Sequence, residues 1–67
     1  MSEVKFPKAH AKLVGQDGNA FSIMGIVAKA MRRAGCTEAD VTAYTEDAMS
    51  GDYNNLLQVS MRTVNVS

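Results

Sequence analysis

Gly15-Gln16-Asp17-Gly18-Asn19-Ala20-Phe21 is the stretch from which the fold is read. Two glycines bracket a polar turn, and Asn19 stands immediately before a run of apolar and helix-tolerant residues. An Asn there accepts a hydrogen bond from an otherwise unpaired amide of the first helical turn. The run 20–34 therefore reads as a helix, and Gly35 is placed to end it in a left-handed conformation. Gly15, Asp17, Gly18 and Asn19 read as a structural loop rather than a ligand site. The spacing matches neither a P-loop nor a dinucleotide-binding turn. Asp17 would repel a bound anion, and its carboxylate is better used on the loop's own backbone. Asp17 and Asn19 alone supply too few oxygens for calcium.

On a helical wheel, Ser22, Gly25, Lys29, Arg32 and Arg33 fall in one sector of about 100°, and every other position of 20–34 is apolar. Ile23, Ile26 and Ala30 therefore need cover on more than one side, from other elements or from a second subunit. Beyond the Gly35-Cys36-Thr37 turn, Thr37 caps a second helix whose early acids, Glu38 and Asp40, oppose its dipole favourably. Val41, Tyr44, Thr45, Ala48 and Met49 trace the expected inner face, and Gly51 ends the helix. Asp52 caps a third helix running to about residue 60, with Tyr53, Leu56, Leu57, Ser60 and Met61 on one side and Val59 at its edge.

The tail 62–66 alternates and is rich in β-branched residues, which predicts a strand. Before the first helix, 9–15 predicts a second strand, with Ala9, Ala11 and Leu13 on one face. Residues 1–8 are expected to form a flexible arm, since Pro7 lacks the amide a ladder needs. Pairing the two strands gives an α+β fold, β-α-α-α-β, with three short helices packed on a minimal two-stranded sheet in a single domain at 9–67.

The GQDGNAF stretch, the MRRAG helix ending and the SGDYNNLL stretch together resemble a family of small bacterial and phage-encoded proteins of uncharacterised function. The resemblance spans about residues 12–66. It implies no activity, no cofactor and no residue role.

Size and composition narrow the function. A chain of 67 residues buries a modest core, so self-association is a natural supplement. A single cysteine rules out an intrachain disulfide, and Cys36 with His10 cannot make a four-ligand Cys/His zinc site. No cofactor or metal is expected. The N-terminal residues lack a signal-peptide pattern, no apolar run is long enough to span a bilayer, and a free cysteine suits a reducing cytoplasm. The formal net charge is zero, but Lys5, Lys8, Lys12, Lys29, Arg32 and Arg33 precede residue 38, while Glu38, Asp40, Glu46, Asp47 and Asp52 follow.

Three functions compete on these residues. The leading expectation is a non-enzymatic cytoplasmic protein-interaction module, pairing with a protein partner or as a homodimer through Ile23, Ile26, Ala30, Lys29, Arg32 and Arg33. The alternative is weak nucleic-acid binding by Lys29, Arg32, Arg33 and the N-terminal lysines. It is disfavoured because the helix after the Gly35 turn carries only acids, which phosphates repel. An enzyme would need His10 and Cys36 brought within hydrogen-bond reach beside a cleft, and Cys36 in a helix ending is better explained by packing.

Overall fold

The computed structural model describes residues 4–13, 15 and 18–67. The order is β1 (Phe6–Ala11), α1 (Ala20–Arg33), α2 (Glu38–Ala48), α3 (Tyr53–Thr63) and β2 (Val64–Val66). The three helices pack on a two-stranded sheet, the β-α-α-α-β arrangement the sequence predicts. The strands run parallel. A parallel pair needs a crossover of a dozen residues or more, and here the whole helical layer supplies it.

The local signals are met in detail. Asn19 Oδ1 accepts from the Phe21 amide at 2.8 Å. At the far end of α1, Gly35 takes a φ of 90°. The Cys36 amide then reaches back to the Met31 carbonyl at 3.0 Å and the Gly35 amide to that of Arg32 at 3.1 Å, a complete Schellman ending. Thr37 and Asp40 form a reciprocal capping box on α2. Asp52 Oδ1 accepts from the Asn55 amide at the start of α3.

The strand boundaries differ from expectation. β1 starts at Phe6, includes Pro7 and ends at Ala11, so part of the expected arm is strand and Lys12 and Leu13 lie beyond it. Residues 1–3 of that arm, Val14, and the Gln16-Asp17 part of the loop lie outside the described residues. Pro7 is tolerated because the ladder is irregular between Phe6 and His10. Proline is at home in such bulges. Asn65 Nδ2 donates to the Pro7 carbonyl at 2.7 Å, a side chain joining the strands where the backbone register slips.

The third helix also differs: it continues through Thr63, three residues past the expected end, and passes directly into β2. Thr63 Oγ1 donates to the Val59 carbonyl at 2.6 Å, so its hydroxyl is satisfied inside the protein. The buried line of α3 is Leu56, Val59, Ser60 and Thr63, rotated from the expected one. Tyr53 and Met61 are exposed, as is Met49, which follows α2.

The core joins Ala9, Ala11 and Val64 of the sheet to Ile23, Met24, Val27, Ala30 and Met31 of α1, with Val41, Tyr44, Ala48, Leu56 and Val59 from the other helices. The broad apolar sector of α1 is thus covered from within: the strands lie against it on one side and α2 and α3 on the other. Val27 and Met31 are 0% exposed, and Ile23 and Ala30 are also buried, with Ile26 half-buried. This corrects the expectation that Ile23 and Ala30 form a surface for a partner.

Candidate functional site

Each remaining hydroxyl in the interior has a local use. Ser60 Oγ donates to the Leu56 carbonyl at 2.8 Å and stands 2.7 Å from the Tyr44 hydroxyl, which is left to donate to it. Burial pushes the Tyr44 phenol above its ordinary pKa, and the Ser60 contact offsets part of that rise. Among the described residues, every buried side-chain nitrogen or oxygen has a hydrogen-bond partner. None is aimed, unsatisfied, into a cavity.

His10 and Cys36 line no cavity in common. His10 is exposed on β1, whereas Cys36 is half-buried behind the Schellman turn. Desolvation, with a smaller contribution from the Asp40 carboxylate, pushes the Cys36 thiol up, which disfavours the nucleophilic thiolate. Among the described residues, no three His, Cys, Asp or Glu side chains gather as metal ligands. No helix of the described chain is long and apolar enough to cross a membrane.

Among the described residues four surfaces stand out, one of them an apolar depression of about 460 Å³ lined by Leu13, Leu57, Met61 and Val66, among others. The largest is an open depression of about 610 Å³ whose lining includes Asp40, Glu46 and Asp47 together with Lys5 and Arg62. It is a mixed-charge surface. A second depression, along β1 and the C-terminal half of α1, gathers Lys8, His10, Lys12, Lys29 and Arg33. Arg32, expected to join them, is held by Glu38 through two hydrogen bonds at 2.9 and 3.1 Å. That pairing lowers the Glu38 carboxyl below its ordinary value.

The third surface is apolar and is built by the two sequence stretches with the clearest caps. It is a groove of about 260 Å³ lined by Phe21, Met24, Ala48, Met49, Tyr53 and Leu56, among others. Asn19 starts α1 so that Phe21, in its first turn, stands out at 76% exposure. Tyr53 is half-exposed, and its hydroxyl donates to the Gly18 carbonyl at 2.6 Å, tying the loop before α1 to the first turn of α3. Across the groove, Asn55 Nδ2 donates to the Asp47 carbonyl at 3.0 Å at the end of α2. A Cβ at Gly51 would lie 2.9 Å from the Asn55 side chain, so glycine keeps this corner tight. Met49, at 60% exposure, forms the other lip.

Gly15 takes a turn-type φ of 81°, the Gly18 carbonyl accepts from the Tyr53 hydroxyl and Asn19 caps α1; Asp17 lies outside the described residues. No protein-family model, curated protein or solved structure matches the chain. Phe21, Met49 and Tyr53 were not candidates in the sequence. The packing of α1 with α2 and α3 brings them onto one surface, and the Tyr53 hydroxyl reaches Gly18, thirty-five positions away.

Proposed function

We propose that the chain is a non-enzymatic protein-interaction module that docks through the Phe21–Met49–Tyr53 groove, and that a second copy of the chain is its first partner. The exposure of Phe21 beside an apolar groove carries this reading. Single exposed apolar residues are ordinary, but an aromatic, a methionine and a half-exposed tyrosine around one recess form a patch of the kind that marks interaction sites. Knob and recess lie on the same face, which is the geometry a two-fold pair needs: Phe21 of each copy can enter the groove of the other.

The magnitudes make such a pair weak. Burying a large apolar side chain yields roughly 1.5–3 kcal/mol, while association costs on the order of 4–15 kcal/mol of lost freedom. Three such side chains from each copy, each already partly buried, bring a gain of the same order as that cost, so a weak pair is expected. Sedimentation equilibrium from about 10 μM to 1 mM tests this. Mass that rises with concentration, and fails to rise in Phe21→Ser, supports the reading. A single species of monomer mass throughout rejects self-association.

A further inference from the structure

Among the seven basic residues, the structure separates those beside acids from those that are not. Arg32 is paired with Glu38, and Lys5 and Arg62 border the depression that holds Asp40, Glu46 and Asp47. The other four, Lys8, Lys12, Lys29 and Arg33, line two adjoining recesses of about 210 and 250 Å³ that share His10, Ala30 and Arg33. Among the described residues, no carboxylate lines either recess. The result is one continuous basic groove on a chain whose net charge is zero.

We propose that this groove binds the sugar-phosphate backbone of nucleic acid, without reading its sequence. The arrangement of the cations favours this partner over an acidic protein. Lys8 and His10 are exposed on β1, and Lys12 is exposed just beyond its end. Lys29 and Arg33 lie one turn apart on α1, about 6 Å along its axis. Lys8 shares one recess with Arg33, and Lys12 shares the other with Lys29, so the two rows face each other along the groove. Lysine and arginine on both walls suit a ligand that carries negative charge all along its length, as a phosphate backbone does. No aromatic ring lines the groove, so base stacking contributes nothing there. Affinity would come from charge alone and be strongly salt-dependent. This groove shares no lining residue with the Phe21 recess, so the two surfaces stand or fall separately.

Fluorescence anisotropy with a labelled mixed-sequence DNA duplex of about 20 base pairs, in 25 to 200 mM KCl, tests the proposal. Displacing counterions from about four phosphates gives a slope of log K against log salt near −3.6. Lys29→Gln should flatten that slope by about one, and Lys29→Glu with Arg33→Glu should weaken binding at least tenfold at 25 mM. These positions are exposed on α1, and circular dichroism confirms that each variant is folded. Arg32→Gln, one residue from the groove wall, should leave affinity within about twofold of the parent. Three results overturn the proposal: no binding at 100 μM protein in 25 mM salt, an equal loss in Arg32→Gln and Lys29→Gln, or displacement of the duplex by poly-glutamate at equal charge concentration.

Discussion

The two apolar surfaces of α1 have opposite fates. Along most of the helix, Ile23, Val27, Ala30 and Met31 are enclosed by the sheet on one side and the other helices on the other. At its first turn, Phe21 stands exposed beside a groove lined by α1 itself, the end of α2, the α2–α3 turn and α3. Both were apolar positions on the same helical wheel. A wheel counts apolar residues but does not say where neighbouring elements stop. The sheet and the α2–α3 pair cover the middle of α1 and leave its N-terminal end bare. An apolar excess in sequence therefore locates a buried helix, and the site of association must be sought where the cover ends.

That contrast can be broken most directly in the core. Met31→Ala should cost about 2–5 kcal/mol in urea unfolding, because it removes a fully enclosed side chain and leaves a cavity. A cost under 1 kcal/mol would show that the enclosure of α1 is looser than described. Ser60→Ala comes next, at about 1–3 kcal/mol, since it leaves the buried Tyr44 hydroxyl with no acceptor. Tyr44→Phe should cost less, as Ser60 Oγ keeps its bond to the Leu56 carbonyl. Equal losses in the two variants would contradict the direction assigned to that pair.

Tyr44 also makes a pH prediction. Burial raises its pKa in the folded state, so the unfolded chain releases the proton first. Stability is fully present below the unfolded phenol value of about 10 and falls as pH rises from there toward the raised folded value. Urea midpoints between pH 9 and 11 should decline for the parent and less for Tyr44→Phe. Parallel declines would mean that the phenol is not the group responsible.

Smaller effects sharpen the surface side of the comparison. Gly25 is exposed inside α1 with open space where a Cβ would go, so Gly25→Ala should stabilise by about 0.5–1 kcal/mol. A loss of stability there would point to an unseen neighbour. Phe21→Ser should change monomer stability least, by within about 0.5 kcal/mol, because the ring is largely in solvent. A loss above about 2 kcal/mol would make Phe21 part of the core and remove the patch it anchors.

Much of this architecture was legible because it is local. Asn19, Gly35, Thr37 and Asp52 announce their roles through hydrogen bonds that span two to five residues, and such bonds depend little on the rest of the chain. The candidate sites were far less legible. Lys29 and Arg33 were read as a basic helix end, yet the wall that makes them a groove is β1, and its register depends on Asn65 reaching Pro7. Arg32 looked equivalent to Arg33 until Glu38 was seen to hold it.

By itself, then, the sequence determined the helices, their caps and the order of elements, since backbone amides near a helix end must find partners within a few residues. The tertiary structure alone decided that the strands are parallel, that most of the apolar sector of α1 is enclosed while Phe21 is left exposed, and that four cations share one groove. Those outcomes turn on contacts between residues tens of positions apart, where burial and charge are set by what folds alongside rather than by what is adjacent in the chain.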